Sequence, residues 1–403
     1  MFNLLPLLRK NKMTFRLQAE FPIEMDLSKF DGIRPYNDSE VHPAVERIAA
    51  SPFIKDIAEF LKITDKEELR NVLLSCNSVD DFQDRIMAMV VSLILKNTAE
   101  KVTFNGLHYF DANRTHVIIT NHRDIVLDSA IIQLILHNNK IKTTEMAVGD
   151  NLISSQFIED IARSNKMIKV IRTTSPREVY NTSKILSEYI RYKVAGQRSS
   201  IWIAQRNGRT KDGVDLTEQG LLKMLDMSGS GDFVKDMEAL DILPVAISYE
   251  YEPCDAFKTH ELYVSRRQKY VKGEDEDYNS ILTGLTQWKG NIHFEFTEPV
   301  LPKEVEYCAQ FTKNERFQEL AKIIDKQIHR TYKLWPNNYI AADLLAAESD
   351  STKGKYSDHY TPEQKAHFEE YAAKQLSTLE GDAAELREIF LGIYANPVKS
   401  QEK

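Results

Sequence analysis

One histidine and one aspartate stand close together in a pattern that suits acid–base chemistry. The apolar run His116–Thr120 ends in Asn121, His122 and Arg123, and Asp128 follows just before a second apolar run. This pattern predicts a strand, a loop and a helix, with the histidine at the carboxyl end of the strand. Ligands of α/β proteins usually bind at that edge of the sheet. A carboxylate that holds the imidazole there would make His122 a general base.

The same segment is also explained by a purely structural role. Asp128 is well placed to cap the following helix by accepting hydrogen bonds from its first N–H groups. His122 would then be a loop residue bonded to the backbone. The segment alone leaves both interpretations open, so the rest of the chain has to decide between them.

Alternating strands and helices must position this pair. The predicted strands are Val102–Tyr109, His116–Thr120, Glu145–Val148, Met167–Arg172, Ser200–Ala204, Ile242–Ser248, His260–Val264 and Gly290–Phe296. The predicted helices between them are Ser129–His137, Gln156–Ser164, Pro176–Val194 and Asp215–Asp226. Such alternation is typical of an α/β protein with a mixed, mostly parallel sheet flanked by helices.

The hydrophobic period changes twice along the chain, which predicts three regions. Residues 1–101 form a helical N-terminal region, in which Pro52 divides the amphipathic stretch His42–Leu61 into two helices. Residues 102–302 form the α/β domain. Residues 303–403 form a C-terminal helical region.

The composition excludes several classes of protein. The chain has 403 residues, 42% of them hydrophobic, and a net charge of −8, which disfavours binding to free nucleic acid. Cys76, Cys254 and Cys308 lie far apart without paired spacing. This argues against a disulfide framework and a zinc site, and it favours a reducing compartment.

No stretch of the sequence is long enough to span a membrane. The longest apolar candidate, Ile86–Leu95, cannot cross roughly 30 Å of hydrocarbon as a helix. The start of the chain has the wrong order for an export signal. Its apolar residues Phe2–Leu8, followed by Arg9 and Lys10, could instead insert into an anionic membrane surface, with a loose leader as the alternative.

Two further predicted strands end in residues that suit a phosphate site. One strand runs into Gly149, Asp150 and Asn151, and the next delivers Arg172 to the same edge. An arginine at a strand end can hold a phosphate through two hydrogen bonds. A solvated surface arginine is the simpler alternative.

A basic turn follows the strand Ser200–Ala204. This turn contains Arg206, Asn207, Gly208, Arg209 and Lys211. Glycine lets the backbone approach an oxyanion, and several cations together suit a phosphate. Most basic turns are simply solvated, so this signal is weak when taken alone.

A fourth stretch completes a recognisable series. The apolar strand from Ile242 carries Pro244 and ends in Tyr249 and Glu250. Taken in order, the four stretches resemble the glycerolipid acyltransferase family, whose first motif is a histidine, four residues and an aspartate. The resemblance covers residues 102–302.

The glycerol-3-phosphate acyltransferase branch of this family is the most similar. That branch has a Gly-Asp-Asn-Leu run, an Ile-Arg strand end and a Tyr-Glu pair. In this chain those features are Gly149–Leu152, Ile171–Arg172 and Tyr249–Glu250.

The resemblance implies transfer of a fatty acyl chain to the hydroxyl of glycerol-3-phosphate in phospholipid synthesis. His122 would be the general base, and Asp128 would orient it. The implied substrate-binding residues are Asn121, Arg123, Gly149, Asp150, Asn151, Arg172, Arg206, Asn207, Gly208 and Arg209, with Lys211 as a further candidate.

The resemblance also implies partners and a location. The acyl donor would be acyl-CoA or acyl carrier protein, and no metal or redox cofactor would be needed. The cations Arg191, Lys193 and Arg198 are candidates for a carrier-protein face, with a solvated helix end as the alternative. The enzyme would be cytoplasmic and peripheral on the inner membrane face.

Two departures from the family pattern leave alternatives open. Five residues separate His122 from Asp128, so Asp124 competes as the orienting carboxylate; we expect Asp128 because it stands just before the apolar helix. Asn207 replaces the glutamate of the third motif, and Arg209 comes one residue early. Acylation of lysophosphatidic acid or another lipid alcohol is therefore an alternative function, as is a non-catalytic acyltransferase-like protein that binds a lipid or a partner.

Overall fold

The computed structural model describes residues 26–63, 65–348 and 354–403. The apolar start of the chain lies outside the described residues, so its contact with a membrane stays a prediction. Within the described ranges, no helix has both the length and the hydropathy that a membrane span requires.

A group of short helices precedes the sheet. These helices are α1 (Asp38–Ala50), α2 (Phe53–Phe60), α3 (Lys66–Leu74), α4 (Val79–Phe82) and α5 (Ala88–Thr98), with a π-helical turn at Gln83–Met87. Pro52 separates α1 from α2, as the sequence predicts. The apolar faces of α1 to α4 and of the π-helical turn form a core of their own that also packs against Phe157 and Ile161 of the sheet domain. The buried residues of α5 pack against the sheet instead.

The strands of the described residues form one seven-stranded sheet. They are β1 (Lys101–Asn105), β2 (Val117–Thr120), β3 (Glu145–Gly149), β4 (Met167–Val170), β5 (Ile201–Ala204), β6 (Ile242–Tyr249) and β7 (Asn291–Phe296). Their order is β1-β7-β6-β2-β5-β3-β4, and β1 and β7 run opposite to the other five. The predicted mixed, mostly parallel sheet is thus confirmed, and β2 lies at its centre.

Helices cover both faces of this sheet. They are α6 (Leu127–Asn138), α7 (Gln156–Ser164), α8 (Pro176–Lys193), α9 (Gln219–Asp226), α10 (Phe233–Glu238), α11 (Asp255–Ser265) and α12 (Glu276–Thr286). Alternate residues of β2 enter two cores: Val117 and Ile119 face α8 and α9, whereas Ile118 faces α5 and α6. Burial on both faces explains the continuous apolar run of this strand.

Two sequence predictions are wrong in this region. His260–Val264 is part of helix α11 and not a strand. A short apolar run does not distinguish a strand from a helix, and here Leu262 packs against the core of the C-terminal helices. The helix predicted from Asp215 begins only at Gln219.

Helices return after β7 and make up the rest of the described chain. They are α13 (Pro302–Ala309), α14 (Glu315–Thr331), α15 (Pro336–Glu348), α16 (Pro362–Leu376) and α17 (Ala383–Gln401). Phe317 and Leu320 of α14 pack into the sheet core, whereas Phe368 and Phe390 belong to a separate core of α15–α17. The helical regions on either side of the sheet are confirmed, and the exact domain boundaries stay predictions.

Candidate active site

The central strand β2 delivers the loop that carries His122. The preceding residue, Asn121, is completely buried. Its side-chain oxygen accepts a hydrogen bond from the Ile247 N–H, and its Nδ2 donates to the Ile247 carbonyl at 2.8 Å. Asn121 therefore joins the loop to β6. This corrects the prediction that Asn121 contacts substrate, because its amide is used inside the protein.

Asp128 holds the imidazole of His122 from a fully buried position. The distance from His122 Nδ1 to Asp128 Oδ2 is 2.9 Å, and the same oxygen accepts hydrogen bonds from the backbone N–H groups of Arg123 and Asp124. The Tyr249 hydroxyl donates to Asp128 Oδ1 at 2.8 Å. With a proton on Nδ1, His122 has Nε2 available as a base.

Tyr249 is suited to remain a donor to this carboxylate. Burial and the neighbouring charge of Asp128 raise the pKa of Tyr249 well above its usual value. The phenol therefore keeps its proton, and both oxygens of the carboxylate have partners.

The second aspartate of the loop has a different role. Asp124 Oδ1 accepts hydrogen bonds from the backbone N–H groups of Val126, at 2.9 Å, and of Leu127, at 2.7 Å. Asp124 thus caps the start of α6, the role that the structural interpretation gave to Asp128. In this geometry Asp128, and not Asp124, contacts the histidine.

Four buried charges lie behind the loop. Arg123 donates to Asp215 Oδ2 at 2.6 Å and to Glu252 Oε2 at 3.0 Å. Lys258 donates to Glu252 and to the Arg123 carbonyl oxygen, the latter at 2.8 Å. None of the four residues is more than 3% exposed. Burial lowers the pKa of Arg123, but Asp215 and Glu252 outweigh it and raise that pKa well above the usual value.

This arrangement corrects the prediction that Arg123 binds substrate. Its guanidinium points into the protein and is neutralised there by two carboxylates. The two cations and two anions balance in charge, and together they fix the backbone on which His122 stands.

A cavity of about 670 Å³ lies in front of His122. Its walls are mainly apolar, and the ring of Trp202 meets the imidazole edge-on at a centroid distance of 6.2 Å. Other wall residues are Val126, Ile158, Met167, Val170, Leu221 and Met224. Such a cavity is suited to an aliphatic chain with its reactive end at the histidine.

Several predicted substrate-binding residues form the polar rim of this cavity. Gly149, Arg172, Arg206, Asn207 and Gly208 all line it. Arg172 donates to Asn207 Oδ1 at 2.5 Å, and Arg206 Nε has no hydrogen-bond partner among the described residues. A Cβ on Gly149 would lie 2.5 Å from Arg172 Nε, so a larger residue there would displace this guanidinium.

Two other predicted residues support the rim without lining the cavity. Asp150 Oδ1 accepts the backbone N–H of Arg172 at 3.0 Å. Asn151 donates to Asp277 Oδ2 at 2.9 Å and so links its loop to α12. These contacts shape the loop that presents Arg172.

The later cations of the basic turn are not brought to the cavity. Arg209 is only 6% exposed, and Lys211 is paired with Glu261 of α11. Burial and the neighbouring Arg209 lower the pKa of Lys211 to about 8. Neither side chain lines the cavity, so a role in phosphate binding is not supported by its position.

The predicted carrier-protein face is also not a row of exposed cations. Arg191 is buried and donates to the carbonyl oxygens of Asp236 and Leu225. Lys193 pairs with Glu145 at 2.8 Å, and Arg198 donates to the Tyr192 carbonyl oxygen. Arg191 is therefore not part of an exposed face, whereas Lys193 and Arg198 reach the surface and a carrier-protein face that includes them stays a prediction.

Comparison with known proteins agrees with the nature of this site. Residues 101–248 match the family model described as Acyltransferase. This stretch contains β1 to β5, nearly all of β6 and the His122–Asp128 pair, so its similarity to acyltransferases agrees with the resemblance to glycerolipid acyltransferases. The glycerol-3-phosphate branch stays a prediction.

The chain also has a weak similarity to solved structures. One of them is the crystal structure of the 1-acyl-sn-glycerophosphate (LPA) acyltransferase PlsC from Thermotoga maritima, with a TM-score of 0.38 and 12% identity. The match covers 73% of this chain and 97% of that chain. No curated protein sequence matches the chain significantly.

Proposed function

We propose that this acyltransferase-family chain moves a fatty acyl group from a thioester to a hydroxyl of glycerol-3-phosphate, in phospholipid synthesis. The observation that carries the proposal is the His122–Asp128 pair at the mouth of an apolar cavity. The pair is suited to activating an alcohol, and the cavity is suited to an acyl chain.

His122 acts as the general base in this proposal. Nε2 takes the proton of the acceptor hydroxyl while the hydroxyl oxygen attacks the thioester carbonyl carbon. The tetrahedral intermediate then collapses, the carbon–sulfur bond breaks, and the leaving thiolate takes the proton from the imidazolium. Asp128 stabilises the charged imidazole and keeps its tautomer, a contribution that resembles the carboxylate of a Ser-His-Asp triad. The hydroxyl attacks directly, so no acyl-enzyme forms.

The polar rim is proposed to hold the acceptor phosphate. Arg172 and Arg206 are the cations that line the cavity, and Arg206 Nε has no hydrogen-bond partner among the described residues. Charge-assisted hydrogen bonds from guanidinium groups are the strong contacts that phosphate recognition uses. Asn207 already accepts a hydrogen bond from Arg172 and would orient it.

The co-substrate is acyl-CoA or acyl carrier protein, and the proposed chemistry needs no metal or redox cofactor. The three free cysteines suit a reducing compartment, so we place the enzyme in the cytoplasm. Because the product partitions into a bilayer, we place it there as a peripheral protein on the inner membrane face. The net charge of −8 disfavours binding to nucleic acid, and we propose no such role for this chain.

Lysophosphatidic acid or another lipid alcohol is the second candidate acceptor. The observation in its favour is the size of the apolar lining, which extends over both faces of the sheet. Glycerol-3-phosphate itself has no chain to place there. A non-catalytic, lipid-binding role would use the same cavity without turnover.

An acceptor and donor screen tests the proposal. Purified protein is incubated with an acyl donor, either palmitoyl-CoA or palmitoyl-acyl carrier protein. Each donor is combined with one acceptor: glycerol-3-phosphate, 1-acylglycerol-3-phosphate or unphosphorylated glycerol. We expect release of free thiol and an acylated product, identified by mass spectrometry, only with a phosphorylated acceptor. Equal turnover with glycerol would show that the cationic rim does not bind the acceptor phosphate. Absence of turnover with every combination of donor and acceptor would favour the non-catalytic alternative.

A further inference from the structure

The helices near the C-terminal end of the chain contact the residues that lie behind His122. Residues 250–258, which we call the bridging segment, run from the end of β6 into α11. This segment supplies Glu252 and Lys258, which bond to the guanidinium and to the carbonyl oxygen of Arg123. The bridging segment and helices α15–α17 both lie beyond the stretch that matches the acyltransferase family model. The loop is therefore held by a part of the chain that this match does not include.

Tyr394 of α17 makes the central contact to the bridging segment. The residue is fully buried, and its hydroxyl accepts a hydrogen bond from the Glu252 backbone N–H at 3.0 Å. The same hydroxyl donates to Asp255 Oδ2 at 2.7 Å. Burial and the neighbouring charge of Asp255 raise the pKa of Tyr394 well above its usual value, so the phenol keeps the proton that it donates. One hydroxyl thus fixes the bridging segment at two points.

Asp255 makes this attachment strong. It is only 1% exposed, and its Oδ2 accepts hydrogen bonds at 2.7 Å from both Tyr394 and Tyr371 of α16. Its Oδ1 accepts a hydrogen bond from Gln287 Nε2 at 3.2 Å. Burial raises the pKa of Asp255 to about 6, although the bonds from the two tyrosines lower it. The group is thus charged at neutral pH, and hydrogen bonds to a charged carboxylate are stronger than those between neutral groups.

A second contact joins α17 to the same arginine. The Gly213 carbonyl oxygen accepts a hydrogen bond from Arg123 Nη2 at 3.3 Å. A Cβ on Gly213 would lie 2.2 Å from the carbonyl oxygen of Ile393, so this turn packs directly against the backbone of α17. Asn396 also donates to the Asp212 carbonyl oxygen at 2.7 Å. The bridging segment and this turn, which both bond to Arg123, therefore rest on one helix.

We propose that α17 sets the position of the His122 loop and that Tyr394 is the positioning residue through which it acts. Tyr394 fixes the backbone of Glu252, and the carboxylate of Glu252 then holds Arg123 beside His122. Loss of the hydroxyl lets the loop move, so that Nε2 is less often aligned with the acceptor hydroxyl, whereas the contacts of the acceptor with the rim stay intact. The inference rests on the proposed function in that His122 is the base.

Two matched tyrosine variants test this role by kinetics. Tyr394→Phe and Tyr371→Phe each remove one hydroxyl from Asp255, but only Tyr394 also bonds to Glu252. We expect Tyr394→Phe to lower kcat about tenfold and to change the acceptor KM by less than about twofold. Tyr371→Phe should keep kcat within about twofold of the wild type. Equal losses of kcat in the two variants, or a wild-type kcat in folded Tyr394→Phe, would overturn the positioning role.

Amide hydrogen exchange of the full chain gives a readout that needs no turnover. The backbone N–H groups of Arg123 and Asp124 donate to Asp128 Oδ2, so their exchange rates report opening of the loop. In Tyr394→Phe we expect both to exchange at least about fivefold faster, while the amides of β2 keep their rates. Tyr371→Phe should leave the loop unchanged.

Two exchange results would contradict the inference. One is a loop in Tyr394→Phe that exchanges at the wild-type rate, and the other is an equal acceleration in β2, which indicates a general loss of stability. A wild-type chain without turnover for any donor and acceptor would refute the proposed function instead, because the exchange rates do not depend on turnover. The two proposals therefore fail separately.

A double variant tests the route through Glu252. If Tyr394 acts through this residue, adding Tyr394→Phe to Glu252→Gln should accelerate loop exchange by less than about a further twofold, because the effects of coupled residues do not add. Full, independent effects of the two substitutions would refute the route. If Tyr394→Phe does not fold, Asn337→Ala replaces it, since Asn337 of α15 donates to the Glu250 carbonyl oxygen at 2.7 Å. This variant should also speed loop exchange relative to β2, and an unchanged loop would overturn the role of the C-terminal helices.

Discussion

The two sides of His122 are built on opposite principles. Behind it, Arg123, Asp215, Glu252 and Lys258 are fully buried and bonded to one another. In front of it lies an apolar cavity with an arginine-bearing rim. Neighbouring residues of one motif thus have different roles. Arg123 and its buried partners hold the loop in place, whereas His122 faces the cavity and is accessible to substrate.

Removing a side chain is expected to change the free energy of unfolding by different amounts on the two sides. A buried ion pair that loses one partner leaves an uncompensated charge away from water, which is strongly destabilising. A rim arginine that is removed leaves solvated neighbours, so the fold loses little and the acceptor loses a contact. Mutations on the two sides should therefore separate stability from substrate binding.

The largest effect is expected at the carboxylate that joins the two sides. Asp128→Asn should lower kcat by about 10²–10⁴-fold, up to the loss expected on removing the base itself, because an amide no longer holds the required tautomer and charge of His122. The matched Asp124→Asn should keep near wild-type turnover, since asparagine still caps α6. Steady-state kinetics on both variants checks this, and a greater loss in Asp124→Asn would reverse the roles that we give to the two aspartates.

A large effect on stability is expected behind the loop. Arg123→Met should lower the free energy of unfolding by about 3–5 kcal/mol, because Asp215 and Glu252 lose their shared cation in a buried site. Urea denaturation measures this change. If Arg123→Met retained wild-type stability but raised the acceptor KM, the contrast between the two sides would fail.

A smaller effect, on binding alone, is expected at the rim. Arg172→Ala should raise the KM of the phosphorylated acceptor by a factor equivalent to about 1–3 kcal/mol, with little change in kcat or in the urea midpoint. Arg206→Ala should behave similarly. An equal KM increase for an unphosphorylated lipid alcohol would show that these arginines do not read the phosphate.

The sequence predicted those features that depend on strand ends. The hydrophobic runs located β2, β3 and β5, and residues directly after them, such as His122, Gly149 and Arg206, do reach the cavity. Residues that share the carboxyl edge of a parallel sheet must converge, so the pattern was sufficient. The pattern could not predict the direction of the side chains within the loop, because strand alternation ends at Thr120. Asn121 and Arg123 were therefore predicted to bind substrate although both are buried.

The residues behind the loop could not be identified from sequence. Glu252 and Lys258 follow β6, more than a hundred residues after Arg123, and their contacts exist only because β6 pairs with β2. Lys258 lies in α11, where the pattern predicted a strand around His260. A charged residue in a partly polar stretch gives no local sign that it is buried.

The most direct test of the central claim is acceptor-dependent thiol release by the wild-type chain and by His122→Ala, with circular dichroism showing that both are folded. We predict release by the wild-type chain and a loss of about 10²–10⁴-fold or more in the variant, the range of a general base. The front of the loop carries few stabilising contacts, so the free energy of unfolding should change little. Unchanged turnover in a folded His122→Ala protein would contradict the account.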